Sequence, residues 1–147
     1  MPRGAHPKPF DLLEQVPPEL RGLLLPWAWD LGRLWALSLP TELIPLAPFE
    51  PLLALPYWRD REGRPFRVRP LDVLARPEQY PDHAKRMRDA NLDLPIHLTE
   101  HGGRTIVLDG MHRIAQGTRV GRKVLPGRRV DGGSLSEILV GYADGVG

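Results

Sequence analysis

Residues 109–113, read Asp-Gly-Met-His-Arg, bring together side chains that can bind and act on a phosphate group. Arg113 carries a permanent charge on a planar guanidinium that suits an oxyanion, and His112 can donate a hydrogen bond or move a proton near neutral pH. Asp109 supplies a carboxylate, which can hold Mg²⁺ or accept a proton. We therefore take Asp109 and His112 as candidate catalytic residues.

The flanking segments predict a strand, a turn and a helix. Residues 105–108 form a short apolar, β-branched run, and Asp109 with Gly110 is a turn pair. Apolar residues then recur at helical spacing from Met111 to Thr118, and Gly121 follows at a position typical of a helix C-terminus.

A helix that begins at Met111 would direct its free N–H groups and the positive end of its dipole towards the turn. Such helix N-termini bind phosphate, and glycine allows a ligand to approach the backbone closely. The residues expected to bind phosphate are therefore Gly110, Met111, His112 and Arg113.

A second interpretation needs no ligand. Asp109 is also a good N-cap, able to accept from the N–H of Met111 or His112, and an Asp-Gly turn before an amphipathic helix is common. Spacing alone leaves both interpretations open.

The run from Leu108 to Ala115, preceded by Pro95–Leu98 and followed by Gly121, resembles the signature of the ParB/sulfiredoxin superfamily. The chain is more closely similar to small ParB-like proteins with a Trp-rich start and a D-G-x-H-R core, over roughly Leu20 to Val130. This resemblance implies an α+β fold, with a small mixed sheet and helices, that holds nucleotide phosphates on the turn.

If the ligand is ATP or another nucleotide, Asp109 should hold Mg²⁺ directly or through water, because a bare carboxylate repels phosphate. Free serine kinases of the superfamily share this type of turn, which suggests an ATP-dependent phosphotransferase or an ATPase. The alternative is a non-catalytic nucleotide-sensing or DNA-associated module, and some ParB-like domains have been linked to nuclease activity.

Two activities of the superfamily are excluded or not expected. Sulfiredoxins place a catalytic cysteine where this chain has Met111, and the chain has no cysteine, so sulfinic-acid repair is excluded. Too few residues follow Gly121 for the helix-turn-helix domain of the partition proteins.

The 147 residues predict one main domain at 26–131, with an N-terminal arm at 1–25 and a tail or short helix at 132–147. Seventeen prolines and fifteen glycines predict short elements and many loops. The net charge is +2 and the pI is about 9.3. The basic residues that come nearest to a patch are Lys85, Arg86, Arg88, Arg119, Arg122, Lys123, Arg128 and Arg129.

Such a basic face is usually solvated, and DNA is the alternative partner. The lack of cysteine and of a long apolar run predicts a cytoplasmic protein without a membrane partner. A tryptophan-rich helix from Pro26 to Leu37 predicts a core element or a homodimer contact.

The remaining elements follow from local patterns. We expect an edge strand at 40–46, a short strand at 66–69, a hairpin joining 95–99 to 105–108, and a broken last strand at 124–130. Asp82 and Ser134 are expected to cap helices, with Leu12, Leu13 and Leu20 packing the arm on the domain. His97 and His101 are expected to be solvated on the hairpin.

Overall fold

The computed structural model describes residues 15–140, which contain one four-stranded sheet and five α-helices. The strands are β1 (Glu42–Pro45), β2 (Ile96–His101), β3 (Arg104–Asp109) and β4 (Val124–Val130). The α-helices are α1 (Leu31–Ala36), α2 (Pro70–Ala75), α3 (Pro81–Arg88), α4 (Met111–Arg119) and α5 (Gly132–Ile138). Three 3₁₀ helices lie within the described residues, and the longest is Ala47–Ala54.

The sheet is mixed, in the order β1-β4-β2-β3. Strands β2 and β3 form the predicted antiparallel hairpin, while β4 lies parallel to β2 and antiparallel to β1. Gly102 and Gly103 both have positive φ, 62° and 76°, as a tight two-residue hairpin turn requires. The α+β class, with a small mixed sheet and β1 as an edge strand, is confirmed.

The last strand is continuous, so the prediction of a broken strand is wrong. Pro126 is tolerated because β4 changes partners along its length. Residues 124–127 pair with β1, and residues 127–130 pair with β2. At Pro126 the strand therefore has a neighbour on one side only, where a missing N–H costs little.

Apolar side chains cover both faces of the sheet. On one face Ile96, Leu98 and Leu125 pack in a cluster that includes Ile114 and Ala115 of α4. On the other, Ile106 and Val130 pack against residues of α1 and α5. The end of β3 lies between these two layers, and the Asp-Gly turn begins there.

The helix predicted at Pro26–Leu37 is shorter than expected, because Asp30 caps it. The Asp30 carboxylate accepts from the amides of Gly32 and Arg33 at 2.7 and 3.3 Å. The six-residue α1 that follows carries Trp35 towards the end of β3.

The predicted caps of α3 and α5 are both wrong. Helix α3 begins at Pro81 without a side-chain cap, although Asp82 lies in its first turn. Helix α5 begins at Gly132 and is capped by Asp131, which accepts from the amide of Ser134 at 2.8 Å.

The predicted strand at 66–69 is reduced to a single bridge between Trp58 and Val68, because Phe66 has a φ of 58° that breaks the extended run. In the N-terminal arm, Leu20 is fully buried as expected. Leu12 and Leu13 lie outside the described residues.

Substitutions at Gly110 and Gly121 separate the effect of backbone strain on stability from the effect of packing. Both have positive φ, 121° and 83°, but a Cβ at Gly110 would lie 2.6 Å from Cγ2 of Ile96, whereas at Gly121 it would meet open space. We expect Gly121→Ala to cost about 1 kcal/mol in free energy of unfolding through strain alone. Gly110→Ala should cost a further ~1–3 kcal/mol from overpacking. Urea denaturation measures both, and equal losses would contradict the packing role of Gly110.

Candidate functional site

The turn between β3 and α4 consists of Asp109 and Gly110. Gly110, which has no side chain, is the N-cap residue of α4, so the cap role of Asp109 is wrong. The bare side of Gly110 faces Ile96 in the core. The glycine is therefore needed for packing.

A β-bulge directs the Asp109 side chain away from the backbone amides at the start of α4. His97 of β2 lies opposite Asp109, but the next residue, Leu98, lies opposite Val107, which leaves Leu108 as the extra residue. A bulge of this kind re-aims the side chains beside it. Asp109 consequently lies on the same side of the sheet as His97, close to Trp35 of α1.

One oxygen of Asp109 is the centre of a half-buried polar cluster. Its Oδ2 accepts from Arg113 Nη2 at 2.8 Å and from Trp35 Nε1 at 3.0 Å, and His97 Nδ1 lies 3.6 Å away. Burial alone would raise the pKa of Asp109, but His97 and Arg113 together hold this pKa below its usual value. Asp109 therefore stays ionised near neutral pH.

Arg113 forms the other half of this ion pair. Its guanidinium carbon lies 5.6 Å from the centre of the Trp35 ring, and 15% of its side chain is exposed. The guanidinium of Arg113 thus pairs with Asp109 and also lines the cleft described below.

His112 contacts a different set of residues from Arg113. Its imidazole stacks on Trp58, with ring centres 4.0 Å apart and planes within 7°. His112 Nε2 lies 3.0 Å from Nδ1 of His83, whose own Nε2 lies 2.7 Å from the backbone oxygen of Arg59. Burial is the main cause that lowers the pKa of His83.

A cleft of about 350 Å³ lies between α3 and the start of α4. All four residues predicted to bind phosphate line it, together with Asp109. On the opposite wall α3 supplies Lys85 and Arg86, and the segment after it supplies Asp89, which pairs with Lys85 at 2.5 Å.

One of the two hairpin histidines differs from expectation. His97 is fully buried, so the prediction that it is solvated is wrong, and its ring meets Trp35 edge-on at 4.7 Å. His101 packs edge-on against Trp27 at 5.0 Å. Among residues 15–140, no group of three or more His, Cys, Asp or Glu side chains is placed to hold a metal ion.

Three members of the site were not predicted as functional residues: Trp35, Trp58 and His83. Trp35 was expected only as core or interface, and Trp58 and His83 belong to segments with no recognisable motif. Each reaches the turn through contacts between residues distant in sequence, which local spacing does not reveal.

The basic residues are partly engaged with neighbours. Arg119 donates to Gln116 at 2.9 Å, and Arg129 lies 3.4 Å from Glu42. Lys85 and Arg86 belong to the cleft.

Comparisons with family models, with curated proteins and with solved structures find no match to the chain. No helix within the described part of the chain has the length and apolar character needed to cross a bilayer.

The lowered pKa of Asp109 makes a specific contribution to the pH dependence of stability. The unfolded carboxyl takes up a proton at a higher pH than the folded one, so this stabilisation is present above the ordinary Asp range and is lost as pH falls through the folded pKa. We expect Asp109→Asn to flatten the decline in free energy of unfolding between about pH 5 and pH 2.

Asp93, which is exposed and lies outside the cluster, provides the control. Urea denaturation at several pH values should show an unchanged profile for Asp93→Asn. An unchanged profile for Asp109→Asn would mean that the ion pair with Arg113 does not stabilise the fold.

Proposed function

We propose that the cleft at the start of α4 binds the phosphate groups of a nucleotide, in a domain of the ParB/sulfiredoxin type. The observation that carries this proposal is that the first turn of α4, whose N-cap is a glycine, opens onto a cleft also lined by Lys85, Arg86 and Arg113. The first turn of an α-helix directs backbone N–H groups outward, and the helix dipole adds positive potential there.

The charges in the cleft favour an anion. Its two acids are already matched, because Asp89 pairs with Lys85 and Asp109 pairs with Arg113. The lining of the cleft as a whole carries three basic side chains, Lys85, Arg86 and Arg113, against these two acids. The volume of about 350 Å³ is near the lower end of the range for ligand sites, so it suits phosphates with the sugar and base extending outward.

The geometry supports binding better than catalysis. Asp109 remains ionised and already accepts two hydrogen bonds on one oxygen, so it is poorly placed to take a proton from a substrate. A phosphotransferase or ATPase reaction through Asp109 and His112 is the alternative. Release of ADP from ATP, abolished by Arg113→Ala, would favour it.

A role for Asp109 in holding Mg²⁺ stays a prediction, and it has its own test. If Mg²⁺ bridges Asp109 to the phosphates, Asp109→Asn should weaken nucleotide binding in the presence of Mg²⁺. If it does not, the variant should bind equally well or more tightly, because Arg113 is then free to meet the phosphate.

DNA binding and homodimer formation also stay predictions. DNA binding through the basic residues should weaken steeply as salt concentration rises.

A thermal-shift screen with ATP, ADP, CTP and GTP, each with and without Mg²⁺, tests the central proposal. A ligand that binds the native state raises the melting temperature, by an amount that grows with its concentration. We expect at least one nucleotide to do so. If none does at millimolar concentration, the proposal is wrong.

Arg86 and Arg88 locate the binding site. Both lie on α3, but only Arg86 lines the cleft. Loss of a charged contact to phosphate costs about 1.5–3 kcal/mol, so Arg86→Gln should weaken nucleotide binding by roughly tenfold or more. Arg88→Gln makes the same change of charge outside the cleft and should change affinity less than about threefold. Titration calorimetry measures both, and equal effects would place the ligand elsewhere.

A further inference from the structure

His97 is a fully buried histidine on β2 whose imidazole is left unsatisfied. Both of its ring nitrogens are closed to solvent, and neither makes a hydrogen bond to any of residues 15–140. Buried polar groups in native proteins are normally hydrogen-bonded, because a group without a partner costs free energy. The carboxylate oxygen Oδ2 of Asp109 lies 3.6 Å from Nδ1 of His97, which is slightly too far for a hydrogen bond.

The neighbouring strands make Asp109 the natural acceptor for His97. In the sheet register, Asp109 of β3 lies opposite His97 on one side and Arg128 of β4 on the other. A guanidinium offers no acceptor, whereas the carboxylate of Asp109 is ionised and accepts strongly. A bare ring nitrogen facing this carboxylate would be repelled, so we place a proton of His97 on Nδ1. His97 is therefore a donor held just short of its acceptor.

Two other donors already occupy the oxygen that His97 faces. Oδ2 of Asp109 accepts from Arg113 Nη2 at 2.8 Å and from Trp35 Nε1 at 3.0 Å. Arg113 also lines the cleft and keeps 15% of its side chain exposed. A phosphate in the cleft would compete with Asp109 for this guanidinium, because arginine forms strong, often paired hydrogen bonds to phosphate oxygens.

We propose that His97 is a positioning residue that takes over the hydrogen bond to Asp109 when Arg113 turns towards a phosphate in the cleft. This inference rests on the proposed function. Withdrawal of Arg113 alone would remove the counter-charge of a half-buried carboxylate, which is costly. A shift from 3.6 Å to about 2.9 Å brings Nδ1 of His97 into hydrogen-bond distance, so that Asp109 keeps two donors. His97 thus lowers the cost of releasing Arg113 without touching the ligand.

The competing arrangement keeps the ion pair intact. Arg113 could contact the phosphate through Nη1 while Nη2 stays on Asp109, because the guanidinium has donors on several nitrogens. His97 would then take no part in binding. The two arrangements differ in whether the effect of His97 on affinity depends on the charge of Asp109, which a double-mutant cycle measures.

Inorganic tripolyphosphate is the probe, because it carries the phosphate chemistry without a base. Phenylalanine keeps a ring at position 97 but removes the donor, so we expect His97→Phe to weaken tripolyphosphate binding by roughly tenfold or more. In an Asp109→Asn background no carboxylate charge has to be stabilised, and His97→Phe should then change the affinity less than about threefold. Titration calorimetry gives the four dissociation constants. Equal losses in the two backgrounds, or no loss in either, would overturn the inference.

Thr99→Val is the matched control for disturbed packing. Thr99 is buried on the same strand and the same face as His97, and its hydroxyl donates to the backbone oxygen of Val130 at 2.7 Å. Its loss should lower the free energy of unfolding but leave the affinity for tripolyphosphate within about threefold. A loss of affinity as large as that of His97→Phe would overturn the inference. Failure of the wild type to bind tripolyphosphate would overturn the proposed function itself.

A spectroscopic measurement on the wild type keeps the inference testable if His97→Phe does not fold. The proton on Nδ1 of His97 is closed to solvent, so its ring N–H resonance should be observable by nuclear magnetic resonance. We expect tripolyphosphate to move this resonance downfield as the hydrogen bond to Asp109 forms. An unchanged resonance at saturating tripolyphosphate would overturn the inference and leave the proposed function standing.

Discussion

A single carboxylate oxygen joins three elements of this protein. Oδ2 of Asp109, at the end of β3, accepts from Trp35 of α1 and from Arg113 of α4. A half-buried charge of this kind is costly unless its partners are in place, so the layers on the two faces of the sheet depend on each other at this point. The cleft is built on the same turn, and its geometry therefore depends on this junction.

His112 and Arg113, the second and third residues of α4, contact different layers of the fold. Arg113 reaches Trp35, which belongs to α1, whereas His112 stacks on Trp58, which belongs to the apolar cluster on the opposite face. Each half of the histidine-arginine pair is thus fixed by a tryptophan. Indole rings can do this because they combine a large apolar surface with a π-face that attracts cations.

Local features of the site were predictable from the sequence. An apolar run, an Asp-Gly pair and a helical period give the strand, the turn and α4, and the hairpin follows from its glycines. The role of Asp109 was not predictable, because the bulge at Leu108 turns its side chain towards Trp35 instead of the helix amides. The bulge itself has no signal in the residue pattern.

Burial of His97 was missed for a related reason. The residue pattern predicts a hairpin whose polar residues face solvent. In the structure, α1 covers that face and places Trp35 against the imidazole of His97. Likewise, His83 and Trp58 join the site only through tertiary packing. Contacts between distant segments could not be predicted from the sequence, and such contacts form most of the candidate site.

The position of β4 between β1 and β2 has a consequence for the newly made chain. Strand β1 leaves the ribosome early, whereas its partner β4 follows only after the hairpin and α4 have been synthesised. Until then the nascent chain must carry an open strand edge that includes Leu43, which is 69% exposed even in the finished fold. Completion of the sheet by a late strand inserted between two earlier ones is a slow, non-local step, and interrupted translation would leave that edge available for misassembly.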